Sequence, residues 1–370
     1  MQEEIASKNS MTKTVEISVN SRLFFIDFIK AISITAVVSF HSLIVPRSTY
    51  TDSASLIDIL FSPLRFCVPV LLTISFMLFE RGLSKDFAIP QMSIIKKRLT
   101  RLAVPTVFWF SLVAVLKILS GNSITEIAIE IFRGEIFTGA YYLLILFQLI
   151  PLYILIRRWL SSWINILLIF GIQGLIFSLT YLSLIFKDAP QLSAFLINIG
   201  RVPFIYWFAY AALGGFLYKN ISILVNISSL ISRRIQVIML VISYLGAIGN
   251  YIFFNQINND NIVPFEYITL SCILNTIILF LCFSSIEEIQ LPLFVIKAVK
   301  LLSKYSLGIF CLNGILYLLF LSLSTHLLRN TVFDFTHILL LKVCGWGLLL
   351  VVSLSLSILM SKIGLKKMVC

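Results

Sequence analysis

The sequence predicts an all-α, polytopic membrane protein, a bundle of about ten transmembrane helices. Three observations predict it. Hydrophobic residues make up 59% of the 370-residue chain and charged residues only 12%, about half the roughly 25% that soluble domains carry. The apolar residues fall in runs long enough to cross a hydrocarbon core of about 30 Å, and mean hydropathy is +0.99. Lys and Arg gather in the gaps between runs, mostly in alternate gaps.

In chain order the runs lie near 23–44, 55–79, 102–119, 141–156, 163–186, 202–218, 235–254, 264–284, 306–327 and 338–361. The first follows some twenty mostly polar residues and carries Asp27 and Lys30, which is not the pattern of a cleavable signal peptide. The fourth is the shortest and needs interfacial residues to complete a crossing. Between the third and fourth, over Asn122–Phe137, Ile124, Ile127, Ile129, Ile131 and Phe132 stand among Glu126, Glu130 and Arg133, the pattern of an interfacial helix. With the N-terminus inside, 20 of the 29 Lys and Arg fall in the inner segments and 5 in the outer loops. Lys30, Arg65, Lys117 and Lys342 lie within runs. That asymmetry places both termini in the cytoplasm. The organisation expected is a cytoplasmic segment 1–22, one transmembrane domain over 23–361 and a cytoplasmic tail 362–370 of a cell-membrane protein.

The net charge of +12 is therefore a topology signal and not a nucleic-acid footprint, which needs basic residues on one solvated face. The six cysteines share no ligand spacing, and His41, His326 and His337 are scattered, so no metal site is expected. Lys117 and Lys342, near the outer ends of their runs, are expected to snorkel to the interface.

Ionisable residues within a span are costly and mark function by default. The first run concentrates them. At 100° per residue, Lys30 and His41 fall within about 20° of each other, and Asp27 about 40° to the other side of His41. All three share a face. The plainer alternative is an interfacial Asp27–Lys30 pair with a boundary histidine, and spacing does not choose between them. If the face is functional, His41 is the group suited to proton transfer near neutral pH. Arg65 in the second run is a further candidate, with pairing to Asp58 as its plainer reading.

Asp27, Lys30-Ala31-Ile32-Ser33-Ile34 and Phe40-His41 resemble the opening signature of the acyltransferase-3 family, multispanning O-acyltransferases: an acidic residue, Arg (here Lys30), ten residues, then His. Later stretches fit in order. Pro69 to Phe76 resembles P-x-F-F-x-x-S-G, with Phe76 in place of Gly. Arg98-Leu99-Thr100-Arg101 matches R-x-x-R, Tyr206 to Gly215 resembles W-x-x-Y-F-x-x-G, and Tyr305 to Asn313 resembles a segment ending in S-x-x-I-Y-L-x-H. Asn313 stands where many members carry His, and Tyr141-Tyr142-Leu143 lacks the His and Trp of the fourth-span pattern.

The resemblance implies acyl transfer from acyl-CoA, with acetyl-CoA the expected donor and no resident cofactor, to a hydroxyl of a sugar, polysaccharide or other envelope glycan. His41 would be the general base, with Asp27 and Lys30 fixing the helix or Lys30 stabilising charge on the thioester oxygen. Arg98 and Arg101, one helical turn apart, would pair with the CoA phosphates together with Arg65. Ser75, Tyr142, Trp207, Ser306 and Asn313 would line the pocket. An extracytoplasmic partner enzyme would complete delivery if transfer does not finish in the membrane. The competing class is a transporter of a glycan or lipid-linked sugar, with Asp27, Lys30 and His41 as coupling groups.

Overall fold

The computed structural model describes residues 23–85, 90–185, 201–257, 267, 269–328 and 331–370. The expected N-terminal segment 1–22 lies outside them. Among the described residues there are helices and no strands, as hydrocarbon requires of a chain without a closed barrel. The helices are α1 (Phe24–Phe40), α2 (Thr51–Phe61), α3 (Cys67–Lys85), α4 (Gln91–Leu119), α5 (Ile124–Arg133), α6 (Tyr141–Ile156) and α7 (Trp163–Ile185). They continue with α8 (Phe208–Lys219), α9 (Ile221–Leu230), α10 (Arg233–Ile257), α11 (Leu270–Phe283), α12 (Leu293–Lys304), α13 (Ser306–Leu327), α14 (Phe335–Lys362) and the short α15 (Lys366–Val369).

Each expected run is helical over much of its length. Seven helices, counting α2 and α3 as one span, are long and apolar enough to cross a membrane, and α8–α9 makes eight if that pair, bent by 84°, is a single span. The runs that fall short are α1 and α11, with 17 and 14 residues. At 1.5 Å per residue these rise about 26 and 21 Å, less than the roughly 30 Å core. Both lie inside the bundle, where neighbouring helices supply the surroundings that lipid would otherwise supply.

The centre is built from α1, α3 and α8. Ala209, Ala211, Ala212, Gly214 and Gly215 give α8 a small-residue surface, and every residue from Ala209 to Leu217 is buried. Gly214 is required there, since a Cβ would come within 2.3 Å of the Thr73 carbonyl oxygen on α3. Such close approach replaces hydrophobic driving force, which is absent between helices in lipid. The periphery is opposite in character. In α10 only 6% of the most apolar 18-residue window is buried, and Ile238, Val241, Ile242 and Leu245 face outward.

One buried ion pair ties several of these elements together. Glu80 of α3 is fully buried and accepts hydrogen bonds from Arg157 Nε (2.7 Å), Tyr153 Oη (2.7 Å) and Ser84 Oγ (3.0 Å). Lys219 at the end of α8 donates to the Arg157 carbonyl at 2.5 Å. The second run therefore does not stop at residue 79: its helix carries Glu80 inside the protein and continues to Lys85.

The expected interfacial helix is α5. Ser123 and Glu126 cap its start reciprocally, Ile127 is buried, and Ile124 and Phe132 are exposed. Lys117 reaches Glu130 of α5 at 2.5 Å. Lys342 does not snorkel: it is buried, donates to the Ser39 carbonyl at 3.0 Å and lies 4.2 Å from the Phe61 ring centroid. A carbonyl in the last turn of α1 and the Phe61 ring receive the ammonium inside the bundle.

Candidate active site

Lys30, Ser75, Arg98, Arg101, Tyr142 and Ser306 line one cavity of about 310 Å³. They come from α1, α3, α4, α6 and α13, so no local segment builds the site. Arg98 is held in place by α3: its Nη2 donates to Ser75 Oγ (2.5 Å) and to the Ser75 carbonyl (3.3 Å), and its guanidinium lies 6.0 Å from the Phe79 ring centroid. The Arg pair at i, i+3 thus divides. Arg98 turns inward to Ser75, while Arg101 borders both this cavity and a cleft outside it.

That cleft, about 640 Å³, is lined by Lys96, Lys97, Arg101, Lys366 and Lys367, with Ser93 and Thr100, and by no acidic residue among those described. Arg101 and Cys370 border it and the inner cavity alike, so the two adjoin. The C-terminal tail is folded back against the bundle. Val369 is buried, Trp109 Nε1 donates to the Met368 carbonyl at 3.0 Å, and a Cβ at Gly308 would meet Val369 Cβ at 2.7 Å. Those contacts carry Lys366 and Lys367 to the cleft. Their charge is readable in the sequence and their destination is not.

His41 lies elsewhere. It caps the end of α1, half-buried, with its ring centroid 5.2 Å from Phe40 and 5.7 Å from Tyr317. It borders a void of about 10 Å³ with Cys67, Thr138, Gly139, Tyr141 and Phe310. Eleven residues of helical rise put it about 16 Å beyond Lys30 along α1. Among the described residues Phe310 alone lines both this void and the inner cavity.

Behind the void stands an aromatic shell. Trp207 packs on Tyr141 (5.9 Å) and Tyr267 (5.6 Å), and the Arg201 guanidinium lies 5.9 and 5.7 Å from the same two tyrosine rings. Trp207 Nε1 donates to the Arg201 carbonyl at 2.6 Å. Trp207 is thus a support for the wall rather than part of it.

Asn313 does not line either space. It is buried, and neither its Oδ1 nor its Nδ2 has a hydrogen-bond partner among the described residues. On α13 it falls within about 60° of Phe310 and Tyr317 at 100° per residue. Phe310 borders the His41 void and Tyr317 packs on the His41 ring. Asn313 therefore shares a side of α13 with those two contacts and lies between them along the helix axis. Orphaned buried amides are rare in folded proteins and call for a reason.

The expected placement of Arg65 differs. Arg65 does not join Arg98 and Arg101: its guanidinium lies over Phe40 (5.7 Å) and Tyr251 (4.9 Å), bordering a separate small pocket with Asn250, Ser271 and Asn275. Ten residues of helical rise, about 15 Å, separate it from Ser75. Asp58 is the partner of Arg47 at 2.8 Å. Asp27 accepts a hydrogen bond from Ser303 of α12 at 2.5 Å and so ties α1 to α12. His337 is exposed and pairs with Asp334 at 2.8 Å, and its backbone N–H donates to the same carboxylate, holding that acid below its ordinary range.

Compared with known families, residues 23–362 match the model of the acyltransferase domain, acyltransferase-3. Neither the curated proteins nor the solved structures gave a match.

Proposed function

Since the chain belongs to the acyltransferase-3 family, we propose that this membrane acyltransferase moves an acyl group from cytoplasmic acyl-CoA to a hydroxyl of a sugar or envelope glycan, with His41 as general base. The observation that carries the reading is a cationic cleft that shares Arg101 and Cys370 with a neighbouring cavity, whose Phe310 also walls the His41 void. A coenzyme A thioester has the complementary form: a polyanionic nucleotide end, a long arm and a reactive carbonyl at its tip. The cleft cations suit the phosphates. The cavity suits the arm, and acetyl-CoA is the expected donor.

In the transfer, an imidazole nitrogen of His41 removes the acceptor hydroxyl proton as the oxygen attacks the thioester carbonyl carbon. A C–O bond forms and the carbonyl electrons move to oxygen. Their return expels the CoA thiolate as the C–S bond breaks, and the imidazolium returns its proton to the thiolate. Lys30 stands about 16 Å along α1 from His41, so its charge serves the donor arm and not the thioester oxygen. The Asn313 amide, which borders neither space in this structure, would receive that oxygen once the acyl end displaces the Phe310 ring beside it. Asp27 fixes α1 through Ser303. Topology fits the chemistry if the Lys96 end is cytoplasmic, as the charge asymmetry indicates. A separate extracytoplasmic enzyme can then carry the acyl group onward.

The test is free thiol release from acetyl-CoA by the purified full chain in lipid discs, with glycan acceptors or water, for wild type and His41→Gln. The expected loss is about 10²–10⁴-fold, as for a missing general base. Retention of more than about a tenth of the wild-type rate by folded His41→Gln removes histidine from the mechanism. Glycan movement across the membrane without thioester cleavage supports the transporter reading instead.

A further inference from the structure

We infer that Phe310 selects the acyl group: it is the partition that the acyl end of the donor must pass to reach His41, and its side chain sets how long that end can be. The inference rests on the proposed acyl-CoA donor and adds to it a residue that decides specificity.

Phe310 sits one turn, about 6 Å of rise, above Ser306 on α13, and Tyr317 about 10 Å above Phe310. Ser306 lines the inner cavity, and Tyr317 packs on His41. The order along α13 is thus donor cavity, Phe310, orphaned Asn313, His41 contact. The ring is buried and held on two sides. Tyr142 packs against it with centroids 5.1 Å apart, and Gly139, at φ +95°, presents bare backbone to its edge. A Cβ on Gly139 would stand 3.0 Å from Phe310 Cζ. The backbone at residue 139 therefore closes around this ring, in a conformation that side chains rarely adopt and glycine adopts freely.

The space on the two sides is unequal. The donor side holds about 310 Å³ and the His41 side about 10 Å³. A void of that size takes no more than about one water, so an acyl group presented to His41 must occupy room that the Phe310 ring now fills or borders. A two-carbon acyl group needs a small displacement of the ring. Each added methylene needs more, in a wall that Tyr142 and Gly139 already press. Close-packed interiors resist added methylenes, and a single methylene in an apolar pocket commonly shifts specificity by about 10-fold or more.

The experiment compares acetyl-, butyryl- and hexanoyl-CoA as donors for wild type and Phe310→Ala, read as free thiol released by the purified full chain in lipid discs with water as acceptor. Wild type is expected to favour acetyl-CoA. Phe310→Ala is expected to raise the hexanoyl-to-acetyl ratio of kcat/KM by at least about 10-fold. If Phe310→Ala does not fold, Phe310→Leu carries the same comparison with a smaller rise, since leucine keeps an apolar wall of reduced reach. A ratio unchanged while all three donors slow together means that Phe310 only supports the fold, and overturns the inference while leaving the donor reading intact. No thiol release from any donor by wild type, with glycan acceptors as with water, overturns the donor reading and the inference with it.

Discussion

Replacing Asn313 by leucine is expected to make the protein more stable and less active in the same molecule. The perturbation is close to isosteric and deletes a buried amide whose oxygen and nitrogen have no partner among the described residues. An unsatisfied buried polar group costs about 1–3 kcal/mol. Leucine also returns a branched apolar side chain to a helix whose Ile309, Phe310 and Ile315 all belong to the hydrophobic core. The net expectation is a gain of about 1–3 kcal/mol, read as a higher thermal midpoint of the purified chain by intrinsic fluorescence. Turnover should fall by about 10²–10³-fold, as when an oxyanion donor is lost. Asn275 supplies the control, because it is buried too but shares a hydrogen bond with Ser243 across α10 and α11. Asn275→Leu leaves Ser243 without that partner and should lower the midpoint. If Asn313→Leu is destabilised as much as Asn275→Leu, or keeps full thioester turnover, the orphaned amide is a packing feature and the reasoning fails.

Arg98→Ala and Arg101→Ala should each raise the apparent KM for acyl-CoA by about 10- to 150-fold, the worth of one charge-assisted contact of about 1.5–3 kcal/mol. The Lys366→Ala/Lys367→Ala pair should lose discrimination between CoA and dephospho-CoA thioesters, measured as a KM ratio; a ratio equal to that of wild type places the nucleotide outside the cleft. Glu80→Leu should destabilise the chain by about 3–5 kcal/mol, since it leaves Arg157 charged and only part-exposed beside Tyr153. A thermal midpoint within a degree of wild type would show that water or lipid headgroups satisfy Arg157 instead.

The fold class is legible in the sequence because it rests on amounts: too few charges for a wet surface, and apolar runs matched to a bilayer. Features that depend on arrangement are only partly legible. Periodicity is almost silent in this chain, because helices apolar on every side, such as α7 and α10, give no face to read. Glu80 shows the cost. In the sequence it sits among Arg81 and Lys85 and reads as the start of a polar loop, and only the approach of Tyr153 on α6 and Arg157 just beyond it makes Glu80 an interior residue.

The site divides in the same way. Lys30, Ser75, Arg98, Arg101, Tyr142 and Ser306 each stand out in short motifs, and the fold gathers them around one cavity. Arg65 stands out on equal grounds and is not among them, since a charge within a span says that burial is compensated and not by which partner. Here the Phe40 and Tyr251 rings lie under it, about 15 Å of helix away from Ser75. Lys366 and Lys367 carry no signal that distinguishes them from the many other lysines of the chain, and Phe310 is marked only as one position of the Tyr305–Asn313 motif, with nothing to say that it separates two spaces. Their importance is topological: Phe310 stands where two spaces share a wall, and the lysines arrive because α15 docks on Trp109 and Gly308. Motifs therefore identify the groups that meet substrate chemistry, while the residue that decides how far a substrate travels between them is visible only once the helices are assembled.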